Sequence, residues 1–153
     1  MRILPFNEPC HQIPFLFNYT AHPWKTQQWV RHILATEYND TEGGLSGNDD
    51  AGQMSAWYLF AAMGFYPVCP AATRYELASP TFHRVTINLE NGHRFIIEAP
   101  DASPQNIFVR KVTLNGQPLP STSSSIHSPF SISHEDILNG STLHFEMVDH
   151  PTP

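Results

Sequence analysis

The sequence predicts an α+β fold, a helical half followed by a small antiparallel β half of sandwich type. Three observations predict it. Up to about residue 66 the apolar residues recur at helical spacing, beyond Pro70 they alternate at period two, and Asn91-Gly92 and Asn115-Gly116 punctuate the alternating part as tight turns. The expected division is therefore 1–66 and 67–153, with no internal repeat.

In the first half, Trp29, Val30, Ile33 and Leu34 form one stripe and predict a helix over Pro23–Tyr38. A second helix is expected from about Ala51 to Met63, with Gly64 as its stop. There Met54, Trp57, Tyr58 and Ala61 share a face, while Leu59, Phe60 and Ala62 cover much of the other. A helix apolar nearly all round needs neighbours on several sides, so this half belongs to a larger helical body. Pro9–Tyr19 is a third helical segment, against which Pro14 counts. In the second half, Val85, Ile87 and Leu89 alternate, then Phe95 and Ile97 across the Asn91-Gly92 turn, which predicts a hairpin. Ile107–Leu114 and the Leu143, Phe145, Met147 alternation predict two more strands, and the Ser- and Pro-rich stretch Pro118–Pro129 a loop.

Composition narrows the function classes. Hydrophobic residues at 41% and charged residues at 14% describe a globular chain rather than a disordered one. A net charge of −6 with eight scattered Lys and Arg argues against nucleic acid, whose phosphates need clustered cations. The nine histidines fall in no zinc-like spacing, and two cysteines, Cys10 and Cys69, are too few for a disulfide framework, leaving them paired or free. The apolar run Met54–Phe65 is too short to span a bilayer, and Met1–Pro5 lacks a signal-peptide core. Sequons at Asn18, Asn39 and Asn139 matter only in a secretory pathway.

The densest polar cluster is Gly47-Asn48-Asp49-Asp50-Ala51-Gly52-Gln53, between a glycine-rich loop and the apolar helix. As local structure, Asp50 is expected to cap that helix and Gln53 to complete a capping box. As chemistry, a carboxylate held ionised at a helix start is what a general base requires, and one carboxylate can cap and still accept a proton from water. The second cluster, Asn7-Glu8-Pro9-Cys10-His11, is either another helix start, with Pro9 at its first position, or a set of oxygen donors suited to calcium. Of the aromatics crowding the first half, Trp24 in the His22-Pro23-Trp24 turn is the candidate for stacking on a sugar.

These runs resemble a known family. Asn7-Glu8-Pro9 with His11, Asn18-Tyr19, Pro23-Trp24-Lys25-Thr26 and above all Gly47 through Tyr58, continued by Gly64-Phe65-Tyr66-Pro67-Val68, are similar to the family 92 α-mannosidases. So are Ser79-Pro80, Val85-Thr86-Ile87, Thr113-Leu114-Asn115-Gly116 and His134–Met147. The resemblance implies a calcium-dependent, exo-acting, inverting α-mannosidase acting on mannose-containing glycans, of the α-1,2-linked, N-glycan type. Its architecture would be an N-terminal β-sandwich followed by an (α/α)6 toroid, and this chain would hold the last toroid helices and the β tail. It implies that Asp50 is the general base and that Asn48, an aspartate in some members, helps hold the water. Asp49, Trp24, His11 and Gln53 would line the substrate site, and Asn7 and Glu8 would be calcium ligands. The family's general-acid glutamate has no counterpart in these residues, so this chain alone is expected to be inactive and to need the missing N-terminal part of the catalytic domain. Intact members would be secreted or periplasmic. Two other readings stand beside it: a non-catalytic carbohydrate-binding or interaction module built on the β half, and an inactive truncated fragment.

Overall fold

The computed structural model describes residues 10–69, 71–119 and 130–152. The expected helices form. α1 runs Trp24–Thr36 and buries Thr26, Gln27, Val30, Ile33 and Leu34, the spacing of one helical face. α2 runs Gln53–Met63 and ends at Gly64, whose φ of 95° lets its N–H turn back onto the Phe60 and Ala61 carbonyls. Pro14 does not prevent a helix; it lies in the first turn of a 3₁₀ helix, Ile13–Tyr19, where its missing N–H has no partner to lose.

The β half starts inside the expected helical half. β1 (Phe65–Tyr66), β2 (Arg74–Leu77) and β7 (Ser131–Ser133) form one antiparallel sheet. β3 (Arg84–Asn88), β4 (Arg94–Glu98), β5 (Phe108–Leu114), β6 (Gln117–Pro118) and β8 (Thr142–Val148) form the second, in the order β3-β4-β8-β5-β6. The predicted hairpin is β3–β4, in register from Arg84 opposite Glu98 to Asn88 opposite Arg94. One pairing departs from the antiparallel expectation, because β8 lies parallel to β4. Alternation tells which face of a strand is buried but not which neighbour it takes or in which direction. The two sheets face a common core of Leu77 and Ile132 from one and Phe95, Ile97, Leu143 and Phe145 from the other, which makes the expected sandwich.

A short helix, α3 (His134–Leu138), precedes β8 and is closed by a capping box in which Ser133 and Asp136 bond each other's backbone N–H. The spacing Ser133-x-x-Asp136 carries the signal for this helix in the sequence. Of the stretch expected as a loop, Pro118 ends β6 and residues 120–129 lie outside the described residues.

The halves are joined by β1. Successive strand residues face opposite ways, so Phe65 enters the β core while Tyr66 enters the helical core with Phe15, Trp57 and Ala61. Side chains then tie α1 to the sheets. Gln27, 3% exposed, accepts the Val109 N–H at the bulge in β5, and Arg31 donates to the Pro80 and Ser103 carbonyls. The half-buried Arg31 guanidinium has its pKa drawn down by that burial. From the 3₁₀ helix, Asn18 and Tyr19 donate to the buried Glu76 carboxylate on β2, and Asn18 also to the Leu77 carbonyl. Burial and the Glu76 carboxylate push the Tyr19 hydroxyl up to about 12, which keeps it a donor. The Asn18 sequon is thereby closed to a glycan, since the residue is 4% exposed and its amide nitrogen donates to two buried oxygens.

α2 is buried on one side only. Met54, Trp57, Ala61 and Ala62 face inward, while Tyr58 and Leu59 are 36% and 56% exposed. Among the described residues no helix is long and apolar enough to cross a membrane, and Cys10 and Cys69 are both free thiols.

Candidate active site

The Gly47–Gln53 cluster forms the entry to α2, with a geometry other than the expected cap. Asp50 is not the N-cap, and Asp50 and Gln53 do not form a capping box. The N-cap is Gly52 at φ 92°, preceded by Asp50 at φ 40° and Ala51 at φ 62°. Three left-handed residues in a row fold the chain out and back, and the two with side chains sit where an L residue is disfavoured by about 1–2 kcal/mol. The excursion returns Asp49, three positions before the N-cap, to the helix axis. Its carbonyl accepts the N–H groups of Gly52 at 3.0 Å and Gln53 at 2.7 Å. Its carboxylate accepts the Ser55 N–H at 2.9 Å and the Ser55 hydroxyl at 3.0 Å. The capping carboxylate is thus Asp49, which reaches the Ser55 N–H six residues on, rather than Asp50 reaching the Gln53 N–H three residues on.

This divides the two aspartates. Asp49, expected at the substrate, is half-buried with its carboxylate engaged on Ser55. Its charge, after burial, is the next cause raising the Tyr38 hydroxyl above its ordinary pKa. Asp50 is exposed, and among the described residues no donor reaches its carboxylate. Asn48 is exposed beside it. Replacing Asp49 by alanine would free the Ser55 N–H, so Asp49→Ala is expected to cost about 0.5–2 kcal/mol, as lost caps do. A thermal melt reads this directly, and an unchanged midpoint would show that Ser55 finds another acceptor.

Gln53 and His11, both expected to line the substrate site, meet each other instead. The Gln53 amide nitrogen lies 3.3 Å from His11 Nδ1 and donates to the Tyr66 hydroxyl at 3.3 Å. The other ring nitrogen, Nε2, lies 3.3 Å from the Met54 sulfur, so the imidazole is held at both nitrogens. His11 is 1% exposed, and its carbonyl accepts the Trp57 indole N–H at 2.9 Å. Trp57 stacks on Tyr38 with ring planes 10° apart and meets Phe15 edge-on. Trp24 lies apart, at the start of α1, with His22 edge-on at 6.1 Å and the Lys25 ammonium 5.4 Å over its ring. The spacing of the sequence offered no sign of Ser55 and Tyr66 as partners of Asp49 and Gln53.

A cleft of about 440 Å³ lies beside the Ser55 end of this turn, lined by Tyr38, Leu45, Ser55, Tyr58 and Leu59. Asn7 and Glu8, the expected calcium ligands, lie outside the described residues. Among the described residues no group of three or more His, Cys, Asp or Glu could hold a metal ion.

Residues 2–149 match the model of the glycosyl hydrolase family 92 catalytic domain. The chain is 31% identical over 140 residues to an uncharacterised secreted glycosidase of Arthroderma benhamiae, an alignment covering 90% of this chain and 17% of the relative. It is 39% identical to a family GH92 α-mannosidase from Bacteroides thetaiotaomicron solved with mannoimidazole, with a TM-score of 0.85 over 96% of this chain and 18% of that one. A family GH92 inverting mannosidase from the same bacterium is 36% identical, with a TM-score of 0.82 over 95% of this chain and 19% of that one. The chain thus spans less than a quarter of the length of these relatives. With its helices, sheets and the Gly47–Tyr58 segment accounted for by that family along almost its whole length, the chain belongs to glycosyl hydrolase family 92.

Proposed function

We propose that this chain is the general-base side of an exo-acting, inverting α-mannosidase acting on α-mannosides, of the α-1,2-linked N-glycan type. One observation carries the reading: the turn gives the capping work to Asp49 and leaves Asp50 exposed on a fixed backbone. Family membership and the mannoimidazole complex of a relative support the sugar. In the reaction, Asp50 removes a proton from a water as that water attacks the anomeric carbon, and the Asn48 amide orients the water. A carboxylic acid on the rest of the polypeptide protonates the departing oxygen. The two carboxyl groups of an inverting enzyme stand about 6.5–9.5 Å apart with the water between them. Trp24 is proposed to stack on a sugar ring, and His11, Asp49 and Gln53 to shape the site from behind.

Asn7 and Glu8 are proposed to hold calcium together with oxygens from outside this chain. Bound there, the ion would polarise sugar hydroxyls and favour a distorted ring.

The test is hydrolysis of an α-mannoside followed by NMR. The full-length enzyme is expected to release β-mannose first, to lose activity at least about tenfold in excess chelator, and to regain it with calcium. The isolated 153-residue chain is expected to show no turnover. Release of α-mannose first would overturn inversion, full activity in chelator would end the metal proposal, and turnover by the isolated chain would show that the acid lies within it.

A further inference from the structure

We infer that Gln53 is a positioning residue for the Asp50 base, acting through its hydrogen bonds to His11 and Tyr66 rather than through the substrate. The inference rests on the reading of Asp50 given above.

The turn that carries Asp50 has a backbone that needs holding. Asp50 and Ala51 occupy left-handed φ values of 40° and 62°, which persist only where the surroundings over-determine them. The Asp49–Ser55 bonds fasten the turn at its entry. Gln53 fastens it at its exit. Its main-chain N–H donates to the Asp49 carbonyl at 2.7 Å, and its side chain reaches into the helical core to His11 and Tyr66, which are 1% and 8% exposed. His11 is itself fixed by the Trp57 indole through its carbonyl, so the turn is anchored to the most buried part of α2.

A purely packing role would be better served by an apolar side chain. Burying an amide against an imidazole and a phenol gives up hydration for bonds of modest net worth. What it adds is a single geometry, because a side-chain network with every member bonded selects one arrangement. Catalysis is where such selection matters: misplacing a reacting group by about 1 Å can cost on the order of 100-fold in rate.

The test uses the full-length enzyme with Gln53→Met, which keeps chain length and packing but loses both N–H donors. The expected result is a kcat about tenfold lower and a KM within about twofold of wild type, the pattern of a lost transition-state arrangement. The double variant Asp50→Asn with Gln53→Met is expected to be no slower than Asp50→Asn alone, because residues acting as a unit are not additive. Wild-type kcat in Gln53→Met beside a disabled Asp50→Asn would overturn this inference and leave the base assignment standing. Multiplying rate losses in the double variant, or a raised KM at unchanged kcat, would overturn it in favour of a role independent of Asp50. Wild-type turnover by Asp50→Asn itself would overturn both. Should Gln53→Met fail to fold, Tyr66→Phe removes one acceptor while keeping the ring. It is expected to lower kcat about threefold at unchanged KM, and an unchanged kcat would count against the inference.

Discussion

In the full-length enzyme, Asp50→Asn is expected to lower kcat about 1,000-fold while leaving KM within a few-fold, a loss of about 4 kcal/mol in transition-state stabilisation. The replacement has almost the same shape but cannot take a proton from water. The fold should not register it, because the Asp50 carboxylate bonds nothing among the described residues and the capping of α2 rests on Asp49. An unchanged melting midpoint beside the lost turnover is therefore part of the expected result. Near-normal kcat would remove Asp50 from the base role, and a strongly raised KM with kcat retained would make it a binding group.

Trp57→Ala is expected to destabilise the protein by about 3–5 kcal/mol, the range for deleting a large buried aromatic. Trp57 is fully buried and packs against four rings: Tyr38, Phe15, Tyr66 and His11. Its removal opens a cavity and also strips the His11 carbonyl of the indole N–H, leaving a buried acceptor unpaired. Trp57→Phe separates the two effects, since it fills much of the volume but restores no donor. Thermal melting is the measurement, with an intermediate midpoint expected for Trp57→Phe. A Trp57→Ala midpoint within a few degrees of wild type would mean that the helical core closes over the gap.

These predictions concern one element seen from two sides. α2 turns Trp57 into the core and, at its N-terminus, presents a turn whose exposed carboxylate is the candidate base. Stability and chemistry are thus separable by residue: Trp57 and Asp49 hold the helix, and Asp50 stands free of that duty. The outward side of the same helix, with Tyr58 and Leu59 exposed, accords with a chain that covers less than a quarter of its relatives' length.

Much of this was legible in the chain itself. Period 3.6 located α1 and α2, and period two with the two Asn-Gly turns located β3, β4, β5 and β8, because local burial patterns and turn chemistry are written in consecutive residues. The Gly47–Tyr58 run likewise pointed to the family that the comparisons bear out. Tertiary structure decided what depends on distant partners. It set β8 parallel to β4, made β1 a strand shared by both cores, and placed His11 inside the protein. It also gave the capping of α2 to Asp49 instead of Asp50, since a run of left-handed residues breaks the three-residue spacing on which a capping box is read. Sequence spacing measures distance along the chain, whereas a hydrogen bond is made across space, and the two agree only where the backbone between them is regular.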